Sequence, residues 1–378
     1  MTDRGALRRC LLLALVLVGG CGGTDAETPD GGGGAADAGG DGAATGDGAM
    51  PDGGGSVDAT PPIASGSVTD EAGACQRGVG TLARTTCRRA RVACPGVADM
   101  VVELRVTEPP AGVPRLGTVI FGTGGGGGGF YDQDATAQAM LARLAGRGFR
   151  VVQRAWNGAL DGWLTGPGGV GALSCRYGAL LGWVHQHLHA AGTALPMCAS
   201  GNSGGSAEVA YALARWGGGE LLDLAVPSGG PPMGRIDHGC LDGADPTWVA
   251  ECRALVPAAS FTCGQVSCAY NGSQQIIDNA YTPAQPCGQA LAAQRATFLA
   301  DSVLAPGALL AYPRTRVHFV MGAQDCSEAV SLGLLWHRAI STDKQLTIVP
   351  ATPHAVFSTS AGAAAIEDAI VQGCVARH

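Results

Sequence analysis

The chain has 378 residues, of which 46% are hydrophobic and 15% charged, with 61 glycines, 14 cysteines and a formal net charge of −7. No run of Lys or Arg occurs anywhere, which excludes nucleic acid and other polyanions as partners. The acidic excess is local: residues 22–55 carry seven acidic and no basic residues, so the remainder is close to neutral.

Arg4, Arg8 and Arg9 precede the apolar run 11–18, the pattern of an export leader over residues 1–20 and too short to span a bilayer as a helix. Residues 18–21, VGGC, resemble a bacterial lipobox, which implies lipidation at Cys21 and attachment to a membrane through that anchor only. Residues 21–69 follow as a Gly/Asp-rich stretch with 14 glycines between 22 and 55 and no aromatic residue there. Such a segment cannot bury enough apolar surface to offset its ordering entropy, and we expect a disordered tether. Residues 70–378 are long enough for a sizeable core, as one large domain or two small ones; the motifs below favour a single domain.

Three cysteines between 70 and 97 suggest a stapled lead-in to that core. Residues 100–106 alternate like an antiparallel edge strand, bounded by Pro109 and Pro114. The continuous apolar run 116–121 suits a buried parallel strand and leads into Gly122, Thr123 and six glycines, 124–129. Helical spacing covers 136–144, Gly146 and Gly148 stop it, and 149–153 begins another strand. Gly122–Gly127 formally satisfies the dinucleotide fingerprint, but glycine runs do so automatically, and Gln153 and Arg154 stand where an acidic residue is expected. The other reading is a loop whose bare N–H groups approach a substrate oxygen. No cofactor is therefore expected.

Trp156, Asn157 and Trp163 fall in a glycine-rich loop where they could line a pocket or simply pack. A helix is expected over 171–189, with His185, His187 and His189 spaced onto different faces, unsuited to one metal. Residues 195–216, LPMCASGNSGGSAEVAYALARW, form the centre of the chain: an apolar run that turns sharply through Gly201-Asn202-Ser203-Gly204-Gly205 into an amphipathic helix. A serine on so tight a turn needs glycine two positions to either side, because side chains there would collide. Its hydroxyl would stand at a helix N-terminus, where free N–H groups favour developing negative charge.

A strand is expected at 221–226. Residues 231–313 then break the rhythm with prolines and five cysteines, as a disulfide-tied cap insertion would, and the odd number requires one cysteine to bond outside it or stay free. The pattern resumes with a strand at 316–321 running into Gly322-Ala323-Gln324-Asp325, a helix over 329–340, a strand at 345–349, the loop 350–354 ending at His354, and a final helix over 361–371. Twelve cysteines lie beyond the leader and Cys21, an even number that allows six disulfides in an oxidising compartment. Cys263 and Cys268 are too far apart for a zinc knuckle, and no metal site is expected.

Alternating strands and helices imply a mostly parallel sheet with sites at the strands' carboxyl ends. Ser203, Asp325 and His354 each fall just beyond such an end, in the order nucleophile, acid, base. Glu328 or Asp237 could supply the acid instead.

Through GTGGGG at 122–127, GNSGG at 201–205, GAQD at 322–325 and TPH at 352–354, residues 98–378 resemble the α/β-hydrolase family of serine esterases and lipases. The resemblance implies an α/β fold with a mostly parallel central sheet, helices on both faces and a cap. It makes Ser203 the nucleophile, His354 the general base, Asp325 its orienter, Gly204 one oxyanion donor and Gly124 or Gly125 the other. No histidine precedes the glycines as in the HGGG form, which leaves the second donor open within the run. GNSGGS is also similar to the GDSGGP of chymotrypsin-like proteases, which place His and Asp before the Ser; no such stretch occurs upstream here. The expected protein is an exported, lipid-anchored serine hydrolase of small-molecule or polymer-borne carboxylic esters. A peptidase on the same scaffold and a non-catalytic surface binding protein are the alternatives, and the oligomeric state is left open.

Overall fold

In the computed structural model, the described residues are 66–157, 162–190 and 194–375. The expected leader, Cys21 and nearly all of the expected tether lie outside them. Nine strands are described: β1 Ser67–Glu71, β2 Thr85–Cys94, β3 Val97–Thr107, β4 Gly117–Gly122, β5 Phe149–Trp156, β6 Met197–Asn202, β7 Leu224–Ser228, β8 Arg316–Gly322 and β9 Lys344–Val349. They form one sheet in the order β1-β2-β3-β5-β4-β6-β7-β8-β9, antiparallel from β1 to β5 and parallel from β5 to β9.

The helices are α1 Ala135–Arg147, α2 Gly169–Leu173, α3 Cys175–Val184, α4 Gly204–Arg215, α5 Ile236–Leu241, α6 Pro246–Leu255, α7 Gln274–Asp278, α8 Arg295–Asp301, α9 Glu328–Ala339 and α10 Ser360–Gly373. Alternate residues of the buried strands feed two cores, as a period of two requires. Val119, Phe121, Val151, Val226 and Val320 pack with α1 and α10 on one face. Ile120, Val152, Ala199, Ala225 and Phe319 pack with α3, α4 and α9 on the other. This is the α/β architecture expected, with helices on both faces.

Several boundaries differ from expectation for local reasons. Residues 97–107 are an inner strand and not an edge, because β2 and then β1 pair outside it. Residues 67–69, assigned to the tether, belong to β1. Gly146 lies within α1, and Gly148 alone ends it, in the left-handed conformation at φ 113°. The helix expected over 171–189 is split at Ser174 and finishes in a π-helical turn, His185–Ala190. The strand expected from 221 starts at Leu224, because the N–H groups of Leu221 and Leu222 close a turn on the Gly218 carbonyl. Trp156 ends β5 and Trp163 sits in a short 3-10 turn, both fully buried, so they pack in the core.

Six disulfides are formed among the described residues: 75–87, 94–175, 198–374, 240–287, 252–268 and 263–326. They are the usage of an oxidising, extracytoplasmic compartment. Two lie inside the insertion, and the fifth cysteine, Cys263, bonds outside it to Cys326, the first of the two outcomes its odd count allowed. Cys374 ties the C-terminal helix to β6 across 176 positions. No described helix is long and apolar enough to cross a membrane.

Because the 198–374 bridge closes so long a loop, the double variant Cys198→Ser, Cys374→Ser is expected to lose about 2–5 kcal/mol of unfolding free energy in urea denaturation. A loss within experimental error would mean that α10 is held by its apolar face alone.

Candidate active site

Parallel pairing of β4 with β6 sets Gly122 beside Gly201, so the glycine loop after β4 and the turn after β6 leave the sheet side by side. Ser203 occupies that turn with φ 54° and ψ −116°, a strained conformation for a residue with a side chain. Its N–H donates to the Ser228 carbonyl at 2.9 Å, and its own carbonyl accepts from Ala207 N–H and the Ser206 hydroxyl. Crowding explains the glycines. A Cβ on Gly201 would overlap the Gly205 carbonyl, one on Gly205 the Gly122 carbonyl, and one on Gly204 the Gly125 carbonyl. Backbone lies directly on backbone here.

The glycine loop is pinned by its carbonyls. Gly124 O accepts from Gly127 N–H, Gly126 O from Trp163 N–H, Gly127 O from Trp156 N–H, and Gly129 O from the Thr123 hydroxyl. Beneath it lies Arg154, fully buried, whose guanidinium donates to the carbonyls of Thr123 and Gly127 at 3.0 Å each. The same guanidinium pairs with the fully buried carboxylate of Glu208 on α4, which also accepts from Trp156 Nε1 at 2.6 Å. Arg154, noted in the sequence only as a missing acid, thus ties the glycine loop to the helix that carries the serine. Gly125 and Gly204 line one cavity with Ser203, and a Cβ on Gly124 would lie 3.1 Å from that of Ser203.

β8 and β9 are parallel neighbours with Gly322 opposite Val349, so the loops that follow them emerge together. That register brings Asp325 and His354 into contact: Asp325 Oδ2 accepts from His354 Nδ1 at 2.7 Å. The carboxylate is 1% exposed, and its other oxygen accepts from the N–H and hydroxyl of Ser327. Burial by itself would push the His354 imidazolium down; the hydrogen bond and charge of Asp325, aided by Glu328, outweigh it and hold the group above the ordinary histidine value. The ring opens onto the cavity that Ser203 lines. Of the alternative acids, Asp237 is held by Arg235 in the insertion, and Glu328 accepts from Ser273.

Sequence reasoning missed Asn202. Its Oδ1 accepts from Val356 N–H at 3.1 Å and from the Ser228 hydroxyl at 3.2 Å, which locks the histidine loop onto the serine turn. It also passed over Ser327 and Glu208; neither carries a signal beyond being a polar residue in an otherwise apolar setting. The wall opposite the sheet comes from the insertion, through Met233, Tyr270, Ile276 and Ile277. Cys263–Cys326 and the bond from Thr262 N–H to Ala323 O fasten that wall to the loop bearing Asp325. No group of three or more His, Cys, Asp or Glu among the described residues could hold a metal ion.

A parallel sheet with an antiparallel edge, a serine on a strained strand-to-helix turn, and an acid and a histidine after the last two strands are now all in place.

The fold is that of the α/β-hydrolases.

No protein-family model matches the chain, and no curated protein does. Solved structures similar to it include Est1E from Butyrivibrio proteoclasticus, at 12% identity over 77% of this chain and 99% of that one with a TM-score of 0.44. Another is esterase Est22, at 15% identity over 77% and 81% with a TM-score of 0.47. A third is the acylaminoacyl peptidase of Pyrococcus horikoshii, at 8% identity over 79% of this chain and 43% of that one with a TM-score of 0.40.

Replacing Arg154 by Met would leave the Glu208 carboxylate buried without its cation, a loss of about 3–5 kcal/mol in chemical denaturation. Adding Glu208→Gln, whose amide oxygen still accepts from Trp156, is expected to recover much of that loss. Simple additivity of the two substitutions would show that the pair is not coupled.

Proposed function

We propose that this chain is an exported serine hydrolase that cleaves carboxylic esters through an acyl-Ser203 intermediate. One observation carries the reading: a histidine oriented by a buried carboxylate opens onto the same cavity as a serine held in a strained turn. A serine hydroxyl is a poor nucleophile until a base removes its proton, and a neutral imidazole fixed at Nδ1 leaves Nε2 free to do so.

In this mechanism the Ser203 oxygen attacks the ester carbonyl carbon while His354 takes its proton. Negative charge gathers on the carbonyl oxygen, facing the N–H of Gly204, at the first turn of α4 where no intrahelical acceptor exists, and the N–H of Gly124 or Gly125. The tetrahedral intermediate collapses by breaking the bond to the alcohol oxygen, which receives the proton from His354. Water, deprotonated by the same imidazole, then attacks the acyl-enzyme; the carboxylic acid leaves and Ser203 regains its proton. Asp325 keeps the tautomer and balances the imidazolium at each passage. No metal or organic cofactor takes part. The leader and the lipobox-like VGGC support attachment of the enzyme to a bacterial membrane through Cys21, on the side where its disulfides are stable.

A fluorophosphonate probe is expected to label Ser203 in the folded protein, and Ser203→Ala to abolish both labelling and hydrolysis of short-chain p-nitrophenyl esters. Folded protein that takes up no label would favour a binding role, and cleavage of peptide anilides ahead of esters would favour a peptidase.

The base must be neutral to act, so kcat/KM should fall as pH drops through the pKa of His354, with an inflection above 6.5. Asp325→Asn removes the carboxylate that does most to raise this pKa and leaves only Glu328 against burial, which lowers it. The residual activity should therefore inflect at lower pH, with kcat down by roughly four orders of magnitude. An unchanged inflection would remove Asp325 from the site.

A further inference from the structure

The cavity over Ser203 has a volume of about 330 Å³, and its charge is one-sided. Besides the imidazole of His354, the only charged side chain that lines it among the described residues is Glu328, the first residue of α9. Glu328 is 7% exposed, and its Oε1 accepts from the hydroxyl of Ser273, which belongs to the insertion, at 2.6 Å. The neighbouring polar groups are committed to the protein. The Tyr270 hydroxyl donates to the Pro232 carbonyl, the Asn271 amide to the Ser267 hydroxyl, and the Ser327 hydroxyl to Asp325. Among the described residues neither Lys nor Arg lines the cavity. Burial pushes the Glu328 carboxyl above its ordinary value, against the hydrogen bond from Ser273 and the charge of His354.

A carboxylate in a half-enclosed hollow walled by Met233, Ile276, Ile277 and Ala329 acts through little water, so its field reaches a bound ligand with much less screening than at the surface. We propose that Glu328 is a specificity-determining residue that selects esters carrying a cationic group in this cavity and rejects those carrying a carboxylate there. The inference rests on the reading of Ser203 as an ester hydrolase. It adds the class of substrate: esters whose acyl or alcohol part bears an amine or quaternary ammonium, the carboxylate supplying attraction and the apolar wall taking the methylene or methyl groups.

The test uses two series of esters at mildly alkaline pH. In one the acyl group is γ-trimethylammoniobutyrate, its tert-butyl isostere or the adipate half-acid on a common p-nitrophenyl leaving group. In the other the same three charges are borne by the alcohol of an acetate ester. At least one series should rank cation above neutral above anion in kcat/KM, with about tenfold or more between the extremes. Glu328→Gln, which keeps an acceptor for Ser273, is expected to shrink that ratio toward unity. Asn271→Lys, at the exposed rim, should shrink it by supplying the missing cation. If Glu328→Gln does not fold, the wild-type ranking and Asn271→Lys still decide. An uncharged fluorophosphonate reports on the nucleophile separately. Protein that is labelled and hydrolyses the neutral esters, yet ranks the charges equally or prefers the anion in both series, overturns the role of Glu328 and leaves the esterase reading standing. Protein that is neither labelled nor active overturns both.

Discussion

Everything at this site depends on two stretches of backbone lying in contact. The serine turn and the glycine loop approach until a single Cβ on Gly204 or Gly205 would overlap a carbonyl oxygen of the strand end and loop opposite. At that separation Gly125 and Gly204 line one cavity with Ser203, an arrangement that side chains would hold apart. The strain at Ser203 is tolerated because its N–H and carbonyl are both tied into the neighbouring structure.

Contact alone would not keep a run of six glycines in one conformation, since glycine loses the most freedom on ordering. Arg154 offsets that loss. It grips two loop carbonyls from below and is itself neutralised by Glu208, whose carboxyl is pushed up to about 7 by burial against the opposing pull of Arg154. Buried ion pairs contribute little net stability against a well-packed apolar substitute, but they fix geometry wherever one charge has several partners to satisfy. With the carbonyls turned down onto Arg154, Trp156 and Trp163, the loop is a rigid shelf under the cavity and not a slack connection.

The second buried charge, Asp325, acts on the histidine from a loop that is also bonded to the cap. Cys263–Cys326 is adjacent to Asp325 in the chain, and Thr262 hydrogen-bonds to Ala323 two residues before it. The cavity wall and the orientation of the imidazole therefore share one support. An oxidising compartment is in this sense a condition of the site as well as of stability.

The sequence by itself determined the alternation of strands and helices, the serine turn, the insertion and the fact that one of its five cysteines has no partner within it, because each rests on local periodicity, on glycine sterics or on parity. GNSGG, GAQD and TPH could be read because the turn after a parallel strand requires small or turn-forming residues in fixed places. The inner position of residues 97–107 could not be read, since an alternating strand carries no mark of how many partners it has. Only the tertiary structure decided that Asp325 and not Asp237 or Glu328 meets His354, because that follows from the register of β8 on β9. It alone decided the roles of Arg154, Glu208 and Asn202, whose partners are distant in the chain: a buried polar group is defined by what surrounds it, and its surroundings are assembled from segments that share no sequence neighbourhood.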